Sequence, residues 1–91
     1  MLRLFHKDEL IGLIENPIPD ELATVGDIKL TQAAESLHDV LEFFNDDQKR
    51  WQDDPPFPAE LLEHWFIEDE TGNRTEIDVP IINDKGEIWW R

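Results

Sequence analysis

The chain reads as an α+β domain in which N-terminal helices pack on a C-terminal three-stranded antiparallel meander. Three observations predict this class. Apolar residues recur at helical spacing through the first half, they alternate singly over the last third, and clusters of Asn, Asp and Gly separate the alternating runs. Ninety-one residues suffice for one modest core, so residues 1–91 are read as a single domain.

The elements follow in order. Residues 7–15 place Leu10, Leu13 and Ile14 on one helical face, and Asn16 with Pro17 stops that helix. Pro17 to Glu21 reads as a rigid connection, and residues 23–30 as a turn around Gly26 and Asp27 with short extended arms. Residues 32–45 form the clearest helix: Thr31 stands as N-cap, and Ala33, Ala34, Leu37, Val40, Leu41 and Phe44 recur at its period. Asn45 to Pro58 is polar, proline-rich and long for a connection. Pro58 then opens one or two helical turns over 59–64. Strands are expected at about 65–69, 74–79 and 87–91, joined by turns at Thr71-Gly72-Asn73 and Asn83 to Gly86.

Composition narrows the function. With 22 Asp and Glu against 8 Lys and Arg, the formal net charge is −14, a balance that repels phosphate backbones and anionic lipid surfaces. Residues 35–70 hold twelve acids against Lys49 and Arg50 alone. Solubility would not require such concentration. Cysteine is absent, which removes disulfides, thiolate nucleophiles and zinc–thiolate sites, and no segment reads as a signal sequence or a membrane span. The cytoplasm is the expected compartment.

Signs of catalysis are sparse. The one serine, Ser36, lies in the strongest helix with no motif around it, and the four glycines are too scattered for a phosphate-cradling loop. Glu35 and His38 match one Glu-x-x-His element of a di-metal bundle, which needs two such elements and two further glutamates. Glu60 and His64 lie one turn apart without the rest of a ligand shell. The expectation is no enzyme, no cofactor and no metal. An enzyme built on those four residues stands as the remote alternative.

Contact surfaces are better marked. On the helix of residues 32–45, extended by one, Glu35, Asp39, Glu42 and Asp46 form an acidic stripe opposite the apolar face, with Phe43 as an apolar anchor on its flank. Carboxylates at this spacing repel one another. In the strands, alternation places Trp65, Ile67, Thr75, Ile77, Val79, Ile88 and Trp90 on the core face. Phe66, Glu68, Glu76, Asp78, Glu87, Trp89 and Arg91 fall on the other, an aromatic face rimmed by carboxylates. Lys49 to Trp51 and Pro55 to Pro58 have the look of short recognition segments but the commoner role of connectors.

The leading expectation is a protein-binding module whose acidic surface meets a basic partner, as an inhibitor or immunity protein does. Small size and acidity are shared with nuclease-inhibiting immunity proteins as a class, an analogy that no residue motif carries. The alternative is an accessory or self-associating domain that uses Phe66 and Trp89, its acidity serving solubility or salt tolerance.

Overall fold

The computed structural model describes residues 1–52 and 54–91. They form one antiparallel sheet of seven strands: β1 (Leu2–His6), β2 (Glu9–Pro19), β3 (Thr24–Leu30), β4 (Trp65–Glu68), β5 (Arg74–Ile77), β6 (Ile81–Ile82) and β7 (Glu87–Trp90). Their spatial order is β5-β4-β1-β2-β3-β7-β6. Between β3 and β4 the chain makes a 3-10 stretch over Gln32–Leu37, then α1 (His38–Asn45), α2 (Asp47–Gln52) and α3 (Ala59–Leu62). The expected helices on a three-stranded meander are therefore corrected to a seven-stranded half-barrel carrying a few short helices.

The first error has a local cause. Leu4 pairs with Gly12 but Phe5 with Leu10, so Ile11 is an extra residue in β2. A bulge of this kind adds one residue to the strand's period of two. Ile11 and Ile14, three apart, both enter the core, while Leu10 and Leu13, also three apart, are only half-buried. The spacing that resembles a helical face is thus a bulged strand. Its hairpin turns at Lys7-Asp8, with Lys7 at φ 56°. Such a two-residue turn usually announces itself with Asn-Gly or Asp-Gly.

The second error concerns connectivity. The β4–β5 and β6–β7 hairpins form at the expected turns, and Gly86 takes the positive φ of 79° that its turn requires. They do not pair with each other. β4 joins the free side of β1 while β7 joins β3, so the two hairpins occupy opposite ends of the sheet. The turn expected around Gly26 and Asp27, with short extended arms over 23–30, is absent: Thr24–Leu30 runs as the continuous strand β3, in which Gly26 is buried.

The sheet curls until its ends approach: the Asp78 amide, just past β5, donates to the Arg91 carbonyl, just past β7, at 3.0 Å. Inside the curl lie Leu4, Ile11, Ile14, Ile28, Trp65, Ile67, Ile82 and Ile88, covered by Ala34, Leu37, Val40 and Leu41 from the helical segment. Burying each large apolar side chain contributes about 1.5–3 kcal/mol. Thr31 occupies the N-cap position with no capping bond; its hydroxyl donates instead to the Leu10 carbonyl at 2.6 Å, tying the helical segment to β2. Ser36 donates to the Ala33 carbonyl at 3.0 Å, a back-bond that suits the tighter 3-10 pitch there. No helix among the described residues is long and apolar enough to cross a membrane.

Candidate functional site

An open groove of about 970 Å³ lies at the seam where the curled sheet's ends meet. Ile77, Asp78 and Val79 line it from one end, and Trp89, Trp90 and Arg91 from the other. Phe44, Arg50 and Trp51 line it from the helices, Leu62 and Glu63 from α3 and beyond, and Leu22 from the β2–β3 turn. Two members are conspicuous. Trp51 and Leu22 are each 76% exposed and line the same groove, and it is apolar residues gathered in one patch, rather than scattered singly, that mark a contact surface.

Trp51 owes its place to the short helix α2. Asp46 begins that helix, its Oδ1 accepting the Gln48 amide at 2.9 Å and the Lys49 amide at 3.1 Å, as an N-cap carboxylate does. Arg50 donates to the Phe44 carbonyl at 2.9 Å and pairs with Asp47. Its guanidinium lies 5.7 Å from the Trp51 ring centroid. Arg50 is therefore a committed cation, and Glu63, Glu76 and Asp78 supply the groove's carboxylates.

The expected site residues separate into several groups. Glu76, Asp78 and Trp89 line this groove. Phe66 does not: it lies on β4, inward of the edge strand β5 that forms the seam, and the aromatic face of Phe66 with Trp89 existed only in the assumed meander. Phe66 is half-buried between register partners Phe5 and Glu76. Glu68, also half-buried, pairs with Arg3 at 3.3 Å and Arg74 at 2.9 Å, so it holds strands together. Trp89 is half-buried opposite Ile81 and Val25, and Trp90 is also half-buried, packed against the core. Ile88 is the fully buried residue of that strand.

The acidic helix is only partly as expected. Glu35, Asp39, Glu42 and Asp46 are all exposed. The 3-10 stretch advances about 120° per residue, so Glu35 falls out of phase with Asp39. Glu35, Glu42 and Asp46 border a second groove of about 1160 Å³ that Asp39 does not line. Glu42 pairs with His38 at 2.8 Å, and Asp46 is occupied in capping α2. Phe43 corrects the expectation of an exposed anchor: it is 8% exposed, its ring edge-on to Phe44 at 5.3 Å and to Phe57 at 5.7 Å. Phe57, in the proline-rich segment, returns across it. That segment also contains Asp53, which lies outside the described residues.

Leu22 was missed, and Trp51 was read only as part of the Lys49–Trp51 segment, with the connector role preferred. Trp51 sits isolated in a polar run and Leu22 beside a turn, so neither joins any apolar period; an unpatterned large apolar residue was the available signal. His6 was missed as a buried residue. It lies under α3, Nε2 donating to the Glu60 carbonyl at 3.1 Å and its ring 4.7 Å from that of Trp65. Burial holds its pKa below the ordinary value, against the hydrogen bond to Glu60. Among the described residues, no three of His, Asp and Glu converge as metal ligands. No family model, curated protein or solved structure matches the chain.

Proposed function

We propose that this chain is a non-enzymatic, acidic protein-binding module that receives a basic protein partner at the seam groove, in the manner of an inhibitor or immunity-type protein. One observation carries the proposal: Trp51 and Leu22, each 76% exposed, open on the same groove as Trp89, Trp90 and the carboxylates of Glu63, Glu76 and Asp78. Aromatic anchors ringed by polar groups are the usual source of binding energy in protein interfaces. The net charge of −14 favours a basic partner and weighs against nucleic acid and anionic membrane. The lack of cysteine fits a cytoplasmic setting. Against catalysis stands Ser36, whose hydroxyl is committed to the Ala33 carbonyl.

Partner capture from native lysate, at low and at moderate salt, tests the proposal. The native chain should retain a basic protein at low salt, and a Trp51→Ala, Leu22→Ser double variant should lose it. Equal retention by both chains would move the site away from the groove. The same exposed pair also favours a second reading, self-association. A concentration-dependent dimer in sedimentation velocity, with no captured partner, would replace the first by the second.

A further inference from the structure

The helix that carries Trp51 is too short to hold itself in place. α2 has six residues, whereas isolated helices below about 12–15 residues are marginal in water and most helices owe their stability to an apolar face packed on the core. α2 has no such face. Asp47, Gln48, Lys49 and Trp51 are exposed, and Arg50 is the one half-buried residue among them. Asp46 starts the helix through the Gln48 and Lys49 amides, and its carbonyl accepts the Arg50 amide at 2.9 Å. Those bonds fix the first turn. They do not fix the direction in which Trp51 points.

The Arg50 side chain supplies that direction. Phe44 lies in the last turn of α1, where carbonyls lack a partner within the helix, and Arg50 Nη1 donates to the Phe44 carbonyl at 2.9 Å while Nη2 pairs with Asp47. One planar guanidinium thus joins the end of α1 to the start of α2, in the fixed fork that arginine presents and with the charge that a helix C-terminus favours. Phe44 itself packs against the core cluster, so the point of attachment belongs to the body of the fold. Trp51 follows Arg50 directly, and Phe44, Arg50 and Trp51 line the seam groove together.

Resting on the binding function proposed above, we propose that Arg50 is the positioning residue of the seam groove: its bond to the Phe44 carbonyl holds Trp51 beside Phe44 in the orientation that a partner meets. An anchor ordered beforehand binds more tightly, because its ordering no longer weakens the association. Charge alone gives the opposite expectation. Arg50 is a cation in a chain that meets a basic partner, so its removal should strengthen attraction if only electrostatics counted. Positioning requires that its removal weaken binding. The sign of the effect separates the two.

The test is Arg50→Met in the full chain, which keeps the apolar stem and the helix propensity and removes both side-chain bonds. With nitrogen-15 labelling, the backbone and indole order parameters of Trp51 should fall from about 0.85, the value of rigid elements, to below about 0.6, while those of Val40 and Leu41 in α1 stay unchanged. Unchanged order at Trp51 overturns the proposal. Equal loosening of α1 also overturns it, because Arg50 would then be a general support of the fold. Should Arg50→Met fail to fold, Arg50→Lys, which keeps the charge and loses the fork, gives the same reading through reduced order at Trp51 with α1 intact. The binding arm uses the protein retained by the native chain in the capture experiment. Arg50→Met should weaken that complex about threefold to tenfold, the scale of ordering one large side chain, and should have no further effect in a Trp51→Ala chain. Tighter binding by Arg50→Met, or an equal loss in both backgrounds, overturns positioning. If the native chain retains no partner, the binding function fails, and the order parameters still decide whether Arg50 positions Trp51.

Discussion

Trp65 and Trp51 place the same residue type in opposite circumstances. Trp65, on β4 beside the sheet's first strand, is fully buried, and its indole N–H donates to the Leu61 carbonyl at 3.0 Å. Trp51, at the seam, is 76% exposed and stacks loosely under Arg50. The continuous wall of the half-barrel satisfies its polar groups internally and excludes water, while the seam leaves apolar surface and strand edge accessible. Stability should therefore reside in the wall and binding in the seam. Substitutions can break that division or sharpen it.

The largest loss is expected for Trp65→Ala, at about 3–5 kcal/mol, because a large aromatic leaves a cavity where the core is closed. Urea unfolding followed by far-UV circular dichroism would measure it. A loss under about 1 kcal/mol would mean that the wall is not the stable part. Gly12→Ala follows. A Cβ at Gly12 would stand 2.7 Å from Ile28 Cδ1 and 3.1 Å from the Lys29 carbonyl, and Ile28 is buried. Overpacking of this kind costs about 1–3 kcal/mol. A neutral or stabilising result would show that β2 and β3 are not held as close as described.

His6 adds a pH dependence to the wall. Its folded pKa is lowered from 6.5, chiefly by burial, so the unfolded chain takes up the proton first as pH falls. The His6 contribution is complete above the unfolded value and declines as pH drops through 6.5 towards the folded value. Stability from urea melts should fall between about pH 7.5 and 5.5, ahead of carboxylate titration, and His6→Gln should flatten that slope. An unchanged slope in the variant would remove His6 as the cause.

How much of this division was visible in the sequence depends on the length scale. The helical segment after Thr31, the helical turn after Pro58, the β4–β5 hairpin and the turn at Asn83 to Gly86 are local, and each showed its own period or turn residues, whereas the short strand Ile81–Ile82 was not expected. Partnering of strands is not local. Nothing in residues 65–91 announces that β4 will join β1 and β7 will join β3, because edge-to-edge choice is settled by the N-terminal hairpin, whose bulge at Ile11 imitates a helix. The site suffered accordingly. Glu76, Asp78 and Trp89 were identified as outer-face residues from alternation alone, whereas Phe66 was attached to them through the wrong topology. Phe43 was misplaced because helical phase cannot foresee that Phe57, fourteen residues on, would return to cover it.

On the seam, the Trp51→Ala, Leu22→Ser double variant should change stability little, within about 0.5 kcal/mol per site as for exposed positions generally. A loss comparable with that of Trp65→Ala would erase the distinction between the regions. The seam residues would then be structural, and their exposure no argument for binding.

The smallest effect on the fold is expected from neutralising Glu35, Asp39, Glu42 and Asp46 to Gln or Asn, and it separates steering from gripping. Asn at 46 can still cap α2 through its side-chain oxygen. Gln at 42 alters the exposed contact with His38, the kind of surface contact worth little. Relief of like-charge repulsion, about 0.2–0.5 kcal/mol per pair, offsets these losses, so the net change should be under about 1 kcal/mol. Binding should respond through its rate. If these carboxylates guide a basic partner towards the seam, association should slow at low salt, and the deficit should close as added salt shortens the Debye length to about 8 Å. The seam variant should instead hasten dissociation, with association nearly unchanged, since Trp51 and Leu22 act at contact. Stopped-flow mixing with a captured partner at two ionic strengths resolves both rates. Were the neutralised chain to associate as fast as the native one at low salt, the acidic helix would be a solvated surface with no part in recognition. The charge that matters would then be that of Glu63, Glu76 and Asp78 within the groove.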